Sequence, residues 1–214
     1  MLCRAPHAPA LPAAALQSVP VLVIDAGHGG LDGGAVAADG TAESGLNLAV
    51  SLRARALAGL LGLPCAMTRS GDTLDYPDSA STTRTKKVWD QQQRVALINA
   101  LPDAVLLSIH QNKYPDPRPR GAQVLYGKGE GSSAFAETAQ SALTESLCPE
   151  NRRVAAPIPD SIYLMKNVRC PAILVECGFL SNPEELALLK TPEYQLKLAL
   201  TLTAAYLRFL GAEA

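Results

Sequence analysis

The chain has 214 residues, of which 48% are hydrophobic, 18% charged and 5% aromatic, the make-up of a single globular domain long enough to bury a core. Nineteen Lys and Arg stand against twenty Asp and Glu, a net charge of −1, which leaves no positive excess for wrapping a nucleic-acid backbone. The longest apolar stretches, such as LALTL near the carboxyl end, fall far short of the roughly 20 residues of a membrane-spanning helix. The five cysteines (Cys3, Cys65, Cys148, Cys170, Cys177) include no CxxC pair, and an odd number forms no closed disulfide framework.

Residues 1–19, rich in Ala and Pro with Pro6, Pro9 and Pro12 interrupting any apolar run, read as a flexible leader or signal remnant before one domain over 20–214. PVLVID (20–25) is a continuous apolar run ending in a Gly-rich turn, the pattern of a strand buried on both faces. Leu46, Ala49, Val50, Leu57, Leu60 and Leu61 recur at helical spacing and predict a helix over 41–61, with Thr41 as cap and Gly62 as stop. A short strand follows at PCAMT (64–68), then a helix over 84–100 and a buried strand at AVLLSIH (104–110). GAQVLYG (121–127) alternates as a strand at the sheet margin. Helices are predicted over 133–147 and 192–210, with strands at SIYLM (161–165) and PAILVE (171–176) between them. The Asn182-Pro183-Glu184-Glu185 run reads as a cap opening a short helix. This order predicts the α/β class: a mainly parallel mixed sheet of about six strands with helices on both faces.

Four residues share one place on that plan. His28 follows the first strand in AGHGG, His110 and Glu176 end two later strands, and Glu43 opens the first long helix at the same sheet edge. In open α/β sheets the functional crevice lies outside the carboxyl ends of the strands. Two imidazoles and a carboxylate with a fourth position free form a recurrent set for catalytic zinc, while a second carboxylate can carry a proton from water to a leaving amine. Each residue also has a plainer role: loop hydrogen bonding for a His beside a turn, dipole complementation for Glu43 at a helix start. Glu176 resists that reading, because a carboxylate ending AILV is costly to bury unless paired or active.

VIDAGHGGLDGGA, GTAESGLNLA, SIHQN and ILVECGFLSNPEE, in this order, resemble the zinc-dependent N-acetylmuramoyl-L-alanine amidases from about residue 20 to the carboxyl end. The resemblance implies zinc on His28, Glu43 and His110 and a catalytic Glu176. It also implies hydrolysis of the amide between N-acetylmuramic acid and the L-alanine of the stem peptide. RTKKVWDQQQRVALIN, SIHQNKYPDPRPRGAQVLYG, LCPENRR and YLMKNVRCPAILVECGFLSNPEEL resemble the germination-specific branch. That branch implies spore-cortex maturation through muramic-lactam formation, an extracytoplasmic location and an activating partner protein. Ser44 stands where many members carry a basic residue after the helix-opening glutamate.

Asn112, Arg120 and Gln123, after the third strand, are candidates to bind sugar or peptide groups. Asp25 and Asp32 flank the His28 loop as candidates to orient it or to cap it. Arg94 and Asn99 resemble a family motif and read first as hydrogen-bonding groups on a helix. Two alternatives remain at this point: a zinc peptidase cutting within the stem peptide, and a non-catalytic domain that binds the wall or a partner.

Overall fold

The computed structural model describes residues 19–212, so the predicted leader lies outside the described residues except for Val19. Six strands form one sheet: β1 (Val21–Ala26), β2 (Cys65–Met67), β3 (Ala104–Asn112), β4 (Gln123–Tyr126), β5 (Ala156–Pro157) and β6 (Ala172–Phe179). Their spatial order is β2-β1-β3-β6-β4-β5. The first four in that order run parallel, and β4 is antiparallel to β6.

The apolar runs are continuous because both faces of the sheet are covered. Leu22 and Ile24, Val105, Leu107 and Ile109, and Ile173 and Val175 point to one face. There they pack under helices α1 (Glu43–Leu60), α3 (Ser132–Leu147) and α6 (Pro192–Ala212). The alternate residues Val23, Leu106, Ala172 and Leu174 meet the opposite layer, made by α2 (Thr83–Ala100) and α4 (Tyr163–Asn167). The remaining helix, α5 (Pro183–Leu189), follows β6. Its cap is the predicted one: Asn182 Oδ1 accepts hydrogen bonds from the backbone amides of Glu184 and Glu185.

The structure corrects SIYLM. Residues 163–167 form helix α4, and the sixth strand is the two-residue β5 instead. Leu164, Met165 and Val168 are buried while Ile162, Tyr163 and Lys166 are exposed. That i, i+1, i+4 pattern has the helical period and not the alternation of a strand. Because β5 sits outside it, β4 is the second strand from the edge and not the margin. Helix α1 begins at Glu43 with Ala42 as its cap residue, so Thr41 plays no side-chain capping role. Thr82 caps α2 by a reciprocal arrangement with Thr85.

Candidate active site

The carboxyl ends of the parallel strands carry the site. The β1 strand runs into a tight loop in which His28 adopts a left-handed φ of 61°. Asp32 Oδ2 accepts from His28 Nδ1 at 2.9 Å and fixes that ring, while Lys87 Nζ holds the other carboxylate oxygen at 2.8 Å. Asp32 is therefore the partner that orients His28 from behind, as one of its two predicted roles required. Asp25 faces elsewhere. It is buried and bonded to Arg94, Ser108 and Thr68. Burial alone would raise its pKa, but the Arg94 guanidinium and the two hydroxyls bring it down to about 2.

Glu43 reaches both imidazoles from the first turn of α1. Its Oε1 lies 2.9 Å from His110 Nδ1 and its Oε2 lies 3.4 Å from His28 Nε2. Backbone amides of Ala35 and Gln111 and the Asn47 amide also donate to it. Burial disfavours the Glu43 anion, yet the two imidazoles hold its pKa well below the ordinary carboxylate range. Burial likewise opposes a charged His28, and the Asp32 and Glu43 carboxylates overcome it to push that imidazole up to about 9. The two imidazole rings meet edge to face with centroids 5.0 Å apart.

Donor atoms from His28, Glu43 and His110 can be chosen that all lie within 4.8 Å of one another. Two nitrogens and a carboxylate oxygen suit zinc, whereas magnesium and calcium favour shells of oxygen. Glu176 adds the second element. It faces His110 across the β3–β6 ladder, and its Oε2 is buried with no hydrogen-bond partner. Burial raises Glu176 to about 7, with His110 pulling it down and Glu43 adding to the rise. A carboxyl left unpaired beside a cluster of metal-type donors is poised to exchange a proton with something that enters the crevice.

That crevice has a volume of about 420 Å³, within the range of small-molecule sites. His28, Glu43, His110 and Glu176 line its floor, and Asn112 and Lys113 lie to one side. The turn before α4 contributes Ser161 and Ile162, α4 itself contributes Tyr163, and α2 contributes Gln91. The structure thus brings Asn112 to the crevice and leaves Arg120 and Gln123 out of its lining. Arg120 is directed toward Glu150 and Glu184, and the Gln123 amide donates to the carbonyls of Val124 and Val154. Arg94 donates to the His28 carbonyl, whereas Asn99 joins α2 to the end of α4 and the residues just beyond it by bonds to Asn167 and Arg169. Sequence reading passed over Ile162 and Tyr163, because it placed them on a strand.

The sheet and the rim residues together define the chain as a hydrolytic enzyme of the α/β class. It belongs to the N-acetylmuramoyl-L-alanine amidase family, whose sequence pattern matches residues 22–207. The germination-specific N-acetylmuramoyl-L-alanine amidase of Bacillus subtilis is 38% identical over 190 residues, covering 88% of this chain and 79% of that protein. The CwlD amidase of Clostridioides difficile, solved in complex with the GerS lipoprotein, superposes with a TM-score of 0.86 at 34% identity, covering 90% of this chain and 99% of that one. The amidase AmiC2 of Nostoc punctiforme gives a TM-score of 0.75 at 25% identity over 90% of this chain and 97% of its own.

Proposed function

We propose that this chain hydrolyses the amide joining the lactyl group of N-acetylmuramic acid to the L-alanine of the stem peptide. The observation that carries the reading is the buried, unpartnered Glu176 carboxyl facing His110 beside the His28–Glu43 pair. His28, Glu43 and His110 would hold a zinc ion, which would supply Lewis-acid polarisation of water and of the lactyl carbonyl. The chain's own residues do the rest. Asp32 and Glu43 hold the two imidazoles in fixed orientations. Glu176 accepts a proton as a water oxygen bonds to the carbonyl carbon, then returns that proton to the alanine nitrogen as the carbon–nitrogen bond breaks. The products are a lactyl carboxylate on the sugar and a free stem-peptide amine.

Asn112, on the crevice wall, is placed to bind the amide or sugar groups flanking the scissile bond. The likeness to a germination-specific amidase supports a role in spore-cortex maturation, with removal of the peptide preceding muramic-lactam formation. The likeness to an amidase solved with a lipoprotein supports a protein partner for this chain as well. Peptidoglycan as substrate places the working protein outside the cytoplasmic membrane.

The test is mass spectrometry of purified peptidoglycan digested by the zinc-loaded protein beside a Glu176→Gln variant. Free stem peptides beginning with alanine, with peptide-free muramic acid, support the amidase when the variant yields neither. Shortened stems still attached to sugar would make the chain a peptidase. An inert protein at full zinc occupancy would favour the partner-dependent or non-catalytic alternatives.

A further inference from the structure

Arg69, in the loop after β2, is 5% exposed, and its guanidinium hydrogen-bonds only to backbone carbonyls: Ala26 at the end of β1, Gly27 in the His28 loop, Ser44 at the start of α1, and Gly71. Among the described residues no carboxylate forms an ion pair with it. A buried guanidinium without such a partner is costly to desolvate, so what its hydrogen bonds hold together becomes the question. One nitrogen answers it. Arg69 Nη2 donates to Gly27 O at 3.1 Å and to Ser44 O at 2.8 Å. Gly27 immediately precedes His28, and Ser44 immediately follows Glu43. A single atom therefore spans the two segments that carry two of the proposed metal ligands.

The fit beneath the loop is close. A β-carbon on Gly29 would stand 2.6 Å from Arg69 Nε, so the turn that presents His28 rests directly on this side chain. Arg94 supports the same stretch from α2, sharing the Ala26 carbonyl with Arg69 and donating also to the His28 carbonyl. The shape matters as much as the charge. Arg presents a planar fork with five donors, whereas Lys offers a single point that cannot reach Ala26, Gly27, Ser44 and Gly71 together.

We infer that Arg69 is a positioning residue that sets the spacing between His28 and Glu43 and so the affinity of the site for its metal. The inference rests on the ligand assignment of the proposed function. Removing a group that holds metal ligands in place weakens metal affinity by roughly 10- to 100-fold, with the fold intact.

The experiment measures zinc dissociation constants by chelator competition, and visible spectra of the cobalt-substituted protein, on the full chain and on Arg69→Lys, Arg69→Gln, His110→Ala and Leu143→Ala. Leu143, on the core-facing side of α3, is buried and lines no part of the crevice, so it reports a general loss of stability. The expected result is that both Arg69 variants fold, bind zinc roughly 10- to 100-fold more weakly and show altered cobalt bands. Leu143→Ala is expected to lose thermal stability and keep its zinc affinity. Wild-type zinc affinity in either Arg69 variant, an equal loss in Leu143→Ala, or failure of both Arg69 variants to fold would overturn the inference. A wild-type protein that binds no zinc, or a His110→Ala variant that binds it as well as wild type, would overturn the ligand assignment itself and with it the role of Arg69.

Discussion

Glu176 stands opposite His110 in the parallel pairing of β6 with β3, one strand contributing an imidazole and its neighbour a carboxyl at the same level of the sheet. The ladder continues on the other side, where Gln123 of β4 pairs with Glu176. Side chains on adjacent strands at one level share a face. The separation of these two groups is therefore fixed by backbone hydrogen bonds and not by a loop.

The burial that would suit Glu176 to the proposed proton transfer also costs the fold stability. Its folded pKa, raised by burial to about 7, exceeds its ordinary value of 4.5. The folded state then binds a proton more tightly than the unfolded chain, so the metal-free protein loses stability as pH rises from about 4.5 to about 7. At pH 8, Glu176→Gln should raise the stability of the metal-free protein by on the order of 3 kcal/mol, with the gain gone by pH 4. Denaturant melts of the chelated protein at the two pH values check this. The same variant should retain metal and lose turnover by two orders of magnitude or about that much, the contribution of a positioned general base. In the wild type, kcat/KM should fall as pH drops below about 7, because only the deprotonated carboxyl can take a proton from water; a bound cation moves that limb to lower pH.

Asp25 behaves in the opposite sense. Its ion pair with Arg94 is buried at 2.7 Å, and its pKa of about 2 lies below the ordinary 3.8. That difference contributes stability which is fully present above about pH 4 and is lost as pH falls toward 2. It amounts to on the order of 2 kcal/mol. Arg94→Met should cost about 3–5 kcal/mol at neutral pH, since it leaves Asp25 charged and unpaired in the interior. Thermal melts across pH 2–7 for both proteins measure the two effects.

Gly27 owes its identity to space. A β-carbon there would fall inside the van der Waals envelope of the His110 ring, and no left-handed φ is involved. Gly27→Ala should displace His110 and lower zinc content per chain, with far-UV circular dichroism unchanged. Elemental analysis decides it. Full zinc occupancy in that variant would show that the ring can shift without leaving the site.

Chelation should lower the melting temperature without unfolding the protein at room temperature. The apolar clusters lie on the two faces of the sheet and not at its rim, so a metal held by the proposed ligands would add stability by mass action alone. The increment should grow with free zinc concentration and disappear in His110→Ala, as differential scanning calorimetry would record.

Much of this was legible in the chain. The apolar runs at 20–25, 104–110 and 171–176 announced strands covered on both faces, because a strand buried twice has no reason to alternate. The Gly-rich turn after the first strand and the charged residues ending later ones pointed to one rim, since parallel strands joined by helices all finish on the same side. Other features were out of reach. SIYLM has the composition of a strand, and only the layer it packs against made 163–167 helical, with Tyr163 set at the crevice.

Local pattern, then, determined the class of fold, the sheet edge at which the candidate site lies and the residue types gathered there, because hydrophobic period and turn chemistry act over a few residues. Tertiary structure alone decided which polar groups meet. Asp25 and Asp32 look alike beside the same loop, yet one is buried against Arg94 and the other orients His28. Arg120 and Gln123 come after the third strand in the chain, whereas Asn112 ends it, and they turn outward to partners at residues 150, 154 and 184. Arg69 carried no signal at all, because what it holds are backbone carbonyls, and every residue has one.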